Sequence, residues 1–248
     1  MDRPTRLHWL DPLTPDQPFP AVHLAMREPN GLLAIGGDLS VSRLIRAYRQ
    51  GIFPWYNPDE PILWWCPDPR AVLPPTQLRV SRSLRKAIQR ADYAVTLDRA
   101  FSQVLDACAQ PRRGSRGTWL GQPMQQAYAQ FHQSGHAHSI EVWRQAKLIG
   151  GLYGVVSGRV FFGESMFSQA TDASKIALYW LCQELIERQF ALIDCQIASD
   201  HLASLGARQC SRVEFLQQLA STFASPCEPG RWQFQIPVPC APAHAPLP

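Results

Sequence analysis

The sequence has no Cys-x-x-Cys pair, and its 248 residues include seven cysteines, an odd number. The odd count argues against a disulfide framework, and the missing pair argues against a zinc ribbon. We therefore expect reduced thiols in a cytoplasmic protein. The chain also lacks a P-loop, a Gly-x-Ser-x-Gly elbow and a dinucleotide-binding fingerprint, which disfavours the enzyme classes that depend on these motifs.

Long apolar runs are absent too. Residues 1–13 lack the apolar core of a signal peptide, and the longest apolar run covers only residues 176–182. A membrane span needs about 20 such residues. We therefore expect a soluble, unsecreted protein with no membrane partner and no cofactor, and we treat it as a monomer.

Net charge is low, at +4, but it is unevenly distributed. Basic residues outnumber acidic ones in the segment 79–116, where Arg82, Arg85, Lys86 and Arg90 follow helical spacing. Residues at this spacing share one face of a helix. Such a face is typical of a protein that binds an anionic partner such as RNA, although a solvated helix face has the same pattern.

Hydrophobic residues make up 46% of the chain and charged residues 18%, which is enough apolar material for a core. Alternating patterns predict three antiparallel strands over 139–144, 147–156 and 159–167. A helix over 174–188 and a buried strand over 190–197 follow. A meander, a helix and a returning strand indicate an α+β fold with a mixed sheet.

Prolines and tryptophans are concentrated in residues 52–75, and we place a domain boundary at the end of this segment. The predicted organisation is a small N-terminal domain over 1–75, a larger domain over 76–232 and a proline-rich tail over 233–248.

Two helix starts have capping residues. Asp38 or Ser40 is predicted to cap a helix that ends near Gln50, and Asp98 is predicted to cap a helix over 100–109. Both expectations rest on local sequence alone.

Polar residues within apolar strands are the candidates for chemistry. Asp194 and Gln196 lie two residues apart in the strand predicted over 190–197, so their side chains should point to the same face. A buried carboxylate is costly unless it is paired, so a structural Asp194 held by backbone or by an arginine is the alternative. Glu164 is a second acid in an apolar strand. It could form an acidic pocket with Asp194 or a salt bridge at the strand end.

Three histidines, His132, His136 and His138, come close together in the sequence. They fall on a helix end and a strand start, and no carboxylate or cysteine completes a set with zinc-ligand spacing. We predict no metal site.

Several short sequence motifs occur in a fixed order along the chain. They are EPNGLLA at 28–34, GGDLS at 36–40, GIFPWY at 51–56, WWCPDPR at 64–70, SRS at 81–83, GTW at 117–119, HAHSIEVW at 136–143, GESMFS at 163–168, ASK at 173–175, IDCQ at 193–196 and SLGA at 204–207. From Phe19 to Leu219 the chain resembles the leucyl/phenylalanyl-tRNA–protein transferase family. Cys66 departs from the serine usual in the family.

The resemblance implies a small N-terminal domain and a C-terminal domain with an acetyltransferase-like (GNAT-like) fold. It implies transfer of leucine or phenylalanine from aminoacyl-tRNA to proteins that begin with Arg or Lys, which marks them for degradation. Carried over by motif, the catalytic residues are Asp194, Gln196 and Glu164. The aromatics that contact the aminoacyl group and the terminal adenosine are Trp55, Trp119, Tyr128 and Phe161.

An aminoacyl ester on tRNA is already activated, so its transfer needs no covalent enzyme intermediate. Our hypothesis is that Asp194 accepts the amide N–H of Gln196, and that Gln196 then accepts a hydrogen bond from the attacking ammonium. Positioning of two bound substrates is the simpler alternative. The basic face of Arg82, Arg85, Lys86 and Arg90 would bind tRNA phosphates.

Two other functions compete with this interpretation. An acetyl-CoA-dependent N-acetyltransferase would carry a glycine-rich pyrophosphate loop, but residues 168–174 contain no glycine and include Asp172. A non-catalytic tRNA-binding protein would not need Asp194 and Gln196 in a buried strand.

Overall fold

Two sheets with helices packed against them form the part of the chain that the computed structural model describes, residues 7–90, 92–111, 118 and 120–239. The strands are β1 His8–Leu10, β2 Leu32–Gly36, β3 Phe53–Pro54, β4 Leu63–Trp65, β5 Arg70–Leu73, β6 Ala94–Leu97, β7 Ala137–Arg144, β8 Lys147–Ser157, β9 Val160–Ser168, β10 Leu192–Gln196 and β11 Arg208–Cys210. The α-helices are α1 Val41–Arg49, α2 Arg82–Arg90, α3 Phe101–Ala109, α4 Gln122–Gln133, α5 Ala173–Glu187, α6 Asp200–Ser204 and α7 Arg212–Ser221. Within these ranges no helix combines the length and apolarity required to cross a membrane.

The smaller sheet has the strand order β1-β2-β4-β3, with β1 parallel to β2 and the other pairs antiparallel. Helix α1 follows it and begins at Ser40, whose side chain accepts a hydrogen bond from the backbone N–H of Arg43. Ser40 is therefore the cap, while Asp38 accepts a hydrogen bond from the Arg43 guanidinium.

The larger sheet has the strand order β11-β5-β10-β9-β8-β7-β6. Strands β7, β8 and β9 form the predicted antiparallel meander, and β10 returns parallel to β9 beside it. The α+β class with a mixed sheet is thus confirmed. Strand β5 belongs to this larger sheet, and the domain boundary at residue 75 stays a prediction.

The two faces of the larger sheet carry separate apolar cores. On one face, α3, α4 and the smaller sheet pack together, so that Trp64 and Tyr128 belong to the same buried cluster. On the other face, α2 and α5 cover residues such as Val142 and Phe161. The smaller sheet therefore shares one apolar core with residues of β9 and β10, the strands that hold the candidate polar residues.

Asp98 does not cap a helix, so that prediction was wrong. Helix α3 begins at Phe101 after the N-cap residue Ala100, which provides no side-chain hydrogen bond, and Asp98 has a left-handed backbone with φ 55°. Its buried carboxylate accepts hydrogen bonds from the backbone N–H groups of Ser139 at 2.9 Å and Trp232 at 2.8 Å. It also lies 2.7 Å from Nδ1 of His138. Asp98 therefore bonds to residues distant in the sequence instead of capping α3. Its bond to Trp232 fixes the segment around that residue to the larger sheet.

Replacing Asp98 with alanine should lower the free energy of unfolding by about 3–5 kcal/mol, because two buried N–H groups and His138 lose their partner. Urea unfolding measures this change. Asp106→Ala, on the exposed face of α3, is the matched control and should change stability by less than about 0.5 kcal/mol. Equal losses in the two variants would contradict the role of Asp98.

Candidate functional site

A cavity opens where two parallel strands separate. Strands β9 and β10 pair only from Val160–Leu192 to Phe162–Asp194. Beyond that point, the end of β9 and the residues Cys195 and Gln196 line a cavity of about 370 Å³. The break in pairing therefore creates the space that substrates can enter.

The walls of this larger cavity are mainly apolar. They include Leu73, Leu152, Phe161, Met166, Leu178 and Ile193. Phe161, predicted to contact substrate, packs tightly on Gly154 of β8, where an added Cβ would lie 2.4 Å from the Phe161 ring. Any larger residue at position 154 would collide with this ring and with the backbone carbonyl oxygen of Phe162, 2.2 Å from the added Cβ.

A smaller cavity of about 120 Å³ adjoins the larger one. Its walls include Trp55 and Ile197, and it shares Glu164, Cys195 and Gln196 with the larger cavity. Trp55 is 42% exposed and meets Trp65 edge-on, with ring centroids 5.7 Å apart. Two molecules bound in the two cavities would meet at the shared residues.

Glu164 stands at this junction and accepts three hydrogen bonds. The hydroxyl of Tyr48 donates to Oε1 at 2.8 Å, that of Tyr128 donates to Oε2 at 2.7 Å, and Nε2 of Gln196 donates to Oε1 at 3.3 Å. Burial raises the pKa of Glu164 to about 7, while the two tyrosine hydroxyls lower it and the charge of Asp194 raises it further. This carboxyl can therefore hold or release a proton near neutral pH. Tyr128, predicted to contact substrate, lies behind Glu164 and is fully buried.

Asp194 is not accessible to a substrate. Its carboxylate is fully buried and receives two hydrogen bonds from Arg70, from Nε at 2.8 Å and from Nη2 at 2.6 Å. The guanidinium lies between the rings of Phe53 and Phe215, 4.9 and 4.6 Å from their centroids. An arginine therefore pairs with Asp194, as the structural alternative requires. Sequence reasoning had not identified Arg70, although a buried carboxylate requires such a partner.

The Gln196 side chain donates no hydrogen bond to Asp194, so that prediction was wrong. Asp194 Oδ1 accepts the backbone N–H of Gln196 at 3.0 Å, while the Gln196 side chain donates to Glu164. The cause is a register shift between the two residues, with Gln196 at φ 56°. A bulge interrupts the strict alternation of side chains along a strand.

The thiol between the two cavities is a poor nucleophile. Burial raises the pKa of Cys195 to about 12, and the charge of Asp194 contributes further. A thiol in this state carries almost no thiolate at neutral pH. The site thus offers a carboxyl group and an amide rather than an activated cysteine.

The other predicted residues fall on a separate surface or outside the described part of the chain. Arg82, Arg85, Lys86 and Arg90 are all exposed on α2. Helix α2 packs against α5, which lines the larger cavity. Helix α5 therefore lies between α2, which carries the basic face, and the larger cavity. Trp119 lies outside the described residues.

The protein is thus of the α+β class, and its two adjoining cavities share a carboxyl group, an amide and an unactivated thiol. A family model described as leucyl/phenylalanyl-tRNA protein transferase matches residues 72–220. A second model, for the N-terminal domain of the same proteins, matches residues 37–68. The chain belongs to the leucyl/phenylalanyl-tRNA–protein transferase family.

Curated relatives match this sequence over most of their own length. The leucyl/phenylalanyl-tRNA–protein transferase of Thiobacillus denitrificans is 54% identical over 90% of this chain and 98% of its own. That of Stutzerimonas stutzeri is 56% identical over 83% of this chain and 91% of its own. Among solved structures, L-PGS from Bacillus licheniformis covers 60% of this chain and 48% of its own, at 11% identity and a TM-score of 0.36. That likeness is too low to define the fold.

The Arg70–Asp194 pair should show strong energetic coupling. Arg70→Ala and Asp194→Ala should each lower the free energy of unfolding by about 3–5 kcal/mol, because each leaves an uncompensated buried charge. The double variant should lose at least about 1 kcal/mol less than the sum of the two single losses.

Denaturant unfolding of the four proteins in this double-mutant cycle measures the coupling. The exposed pair Arg144–Asp92 provides the matched cycle, for which coupling should stay below about 1 kcal/mol. Additive losses at Arg70 and Asp194 would show that the two residues do not depend on each other.

Proposed function

We propose that the larger cavity binds the aminoacyl group of the donor and that the smaller cavity binds the N-terminus of the acceptor. As a member of its family, the chain is an aminoacyltransferase. It transfers leucine or phenylalanine from aminoacyl-tRNA to the N-terminal Arg or Lys of a protein, a step of the N-degron pathway. The observation that carries the assignment of the site is that both cavities share Glu164, Cys195 and Gln196.

The donor assignment rests on the shape and chemistry of the larger cavity. Its apolar walls, with Phe161 and Met166 among them, suit a leucine or phenylalanine side chain. Such walls discriminate only weakly between apolar side chains, by about 1–3 kcal/mol per methylene. We propose that Trp55 and Trp119 stack on the terminal adenosine, since base–aromatic stacking is independent of sequence.

The acceptor assignment rests on charge. Among the described residues that line the two cavities, Glu164 is the one carboxylate. Arg70 neutralises Asp194 behind them. An acceptor with a cationic N-terminal residue brings positive charge to the smaller cavity. Glu164 is therefore placed to receive the amine that attacks the ester.

The reaction then needs one new bond and one proton transfer. The acceptor α-amine attacks the ester carbonyl carbon, the C–N bond forms, and the C–O bond to the terminal ribose breaks. We propose that Glu164 accepts the proton from the amine and returns it to the ribose oxygen. Gln196, whose N–H groups are turned to Glu164, offers its carbonyl oxygen as a further acceptor for the amine. Holding both substrates in contact supplies about 7–11 kcal/mol of the barrier reduction.

In this mechanism Asp194 is a positioning residue rather than a catalytic one. It holds the backbone N–H of Gln196 and is itself held by Arg70. Tyr128 and Tyr48 position Glu164 in the same way, each through one hydroxyl group.

We also propose that the larger sheet is GNAT-like. In support, an antiparallel meander is followed by a helix and by a strand that pairs briefly with β9 and then separates from it. The start of α5 is unlike a pyrophosphate site, since Asp172 stands at its N-terminus and pairs with Lys175 at 2.8 Å. A negative charge at a helix N-terminus opposes anion binding.

The experiment that tests the function is transfer of labelled leucine from Leu-tRNA to a peptide that begins with Arg. Purified protein should label this peptide and leave a matched peptide that begins with Glu unlabelled. Labelled acetyl-CoA in place of Leu-tRNA tests the N-acetyltransferase alternative. Acetylation without leucine transfer would overturn the proposed function.

Glu164 should set the acid limb of the pH profile. Because its pKa lies at about 7, the proton-accepting carboxylate is lost as pH falls below that value, where the acceptor α-amine is protonated as well. Single-turnover transfer should therefore fall about a hundredfold per pH unit below pH 7, against about tenfold for the amine alone. Glu164→Gln should transfer about 10²–10⁴ times more slowly. Its profile should follow only the acceptor α-amine, with a reference pKa of about 7.7–8.0.

Protein stability provides an independent measurement of the same group. The pKa of Glu164 is raised on folding, so its contribution to stability is complete below pH 4.5 and is lost as pH rises through about 7. Glu164→Gln should remove this dependence, which urea unfolding at several pH values measures. A Glu164→Gln rate that falls as steeply below pH 7 as the wild-type rate would rule out Glu164 as the source of the steeper wild-type profile.

The basic face of α2 should bind tRNA phosphates. Changing Arg82 and Arg85 to Glu together should weaken Leu-tRNA binding and flatten its dependence on salt concentration, because fewer counterions are released. The matched control changes the exposed Arg27 and Arg49 to Glu, with the same change in net charge. Filter binding over a salt series compares the two. Equal losses of binding and of salt dependence in the two double variants would show that net charge, and not the basic face of α2, is responsible.

A further inference from the structure

Gly163 of β9 differs from the other glycines in the described strands of the larger sheet, because the packing around it leaves room for a side chain. An added Cβ would lie less than 3.0 Å from a neighbouring atom at each of the glycines of β8, Gly150, Gly151 and Gly154. At Gly163 it would meet only the backbone oxygen of Asp194 at 3.6 Å and Cγ2 of Ile193 at 3.8 Å, which are ordinary contact distances. The fold therefore explains the glycines of β8 but not Gly163.

The backbone does not require glycine at this position either. Gly163 is not among the glycines with a positive φ, so any L residue can adopt its conformation. Glycine inside a strand weakens the strand, since it loses more conformational freedom on folding and has no side chain to pack. A glycine that neither packing nor backbone geometry requires is typical of a place where a ligand approaches the backbone closely.

The space beside Gly163 belongs to the larger cavity. Gly163 is partly exposed and lines that cavity. Strands β8 and β9 pair regularly from Val160 to Gly163, so a side chain at residue 163 would lie on the same face of the sheet as Phe161. Phe161 and Ile193 belong to the core on the α5 side and are themselves walls of the cavity. Atoms added at residue 163 would therefore occupy cavity space.

We propose that Gly163 sets the upper size of the aminoacyl side chain that the larger cavity accepts. The proposal rests on the donor site assigned under the proposed function. The cavity volume is about 370 Å³, and each atom added at residue 163 reduces it. Since a phenylalanine side chain is larger than a leucine side chain, a methyl group at residue 163 excludes phenylalanine first.

The acceptor side of the site is not part of this effect. Gly163 lines the larger cavity and is not part of the wall of the smaller one. The side chains at the junction, Glu164, Cys195 and Gln196, stay the same when residue 163 changes. A substitution at Gly163 should therefore alter the choice of donor without altering the affinity for the acceptor.

Gly163→Ala and Gly163→Val form a graded series that tests the proposal. In Gly163→Ala, kcat/KM for Phe-tRNA should fall about 10- to 200-fold, and kcat/KM for Leu-tRNA should fall by less than about fivefold. In Gly163→Val, transfer from both donors should fall, with the phenylalanine donor again affected more. The KM for a peptide that begins with Arg should stay within about twofold of the wild-type value in both variants.

Gly154→Ala is the matched control for stability, because Gly154 is the residue of β8 that pairs with Gly163. Its added Cβ would overlap the backbone oxygen of Phe162, so the midpoint of thermal unfolding should fall by about 5–10 °C. The midpoint of Gly163→Ala should instead rise by about 1–4 °C, since alanine loses less conformational freedom on folding. The same substitution on two paired residues should thus change stability in opposite directions.

Two results would overturn the proposal. An unchanged ratio of phenylalanine to leucine transfer in both Gly163 variants would show that atoms at residue 163 do not meet the aminoacyl side chain. A Gly163→Ala midpoint as low as that of Gly154→Ala would show that the fold itself requires this glycine. Failure of the proposed function is distinct, because the wild-type protein would then transfer neither leucine nor phenylalanine.

Discussion

The buried pair of Arg70 and Asp194 is the interaction on which the site depends. It joins β5 to β10 across residues far apart in the sequence, and two aromatic rings shield it from water. Removing two charged groups from water costs free energy, which their attraction offsets only if the two groups are paired and well oriented. Since Asp194 also holds the backbone of Gln196, the pair fixes the bulge at the end of β10. Because Arg70 neutralises Asp194, Glu164 is the carboxylate that faces the cavities among the described residues.

The sequence predicts the residues of the site better than their roles. Asp194, Gln196 and Glu164 could be proposed because polar residues in apolar strands stand out, and Glu164 and Gln196 do line both cavities. The predicted hydrogen bond between the side chains of Asp194 and Gln196 was wrong because the prediction assumed that side chains alternate strictly along the strand. A single residue with a left-handed backbone, Gln196, sends its side chain to Glu164 instead. Arg70, 124 residues from its partner, gives no local signal of this pairing.

In the fold, too, the sequence predicts the regular elements but not the contacts between residues far apart in the chain. Strands β7 to β10 and helix α5 follow from the period of their apolar residues, because each buries one face against a neighbour. Asp98 has the local sequence of a helix cap, yet its carboxylate binds Ser139, His138 and Trp232 from other parts of the chain. Local hydrogen bonding is weak compared with a buried carboxylate that satisfies three groups at once, so tertiary structure decides such positions.

The separation of β9 from β10 connects the packing to the chemistry. Two parallel strands that stay paired would leave no space, and their backbone groups would satisfy each other. Where they part after Phe162 and Asp194, the polar side chains of Glu164 and Gln196 can face the gap, while Phe161 and Ile193 give it apolar walls. A substrate in this gap meets a low-dielectric surface with one titratable carboxyl at its mouth. Burial raises the pKa of that carboxyl towards neutrality, so the packing that makes the cavity also gives Glu164 the pKa that the proposed proton acceptor needs.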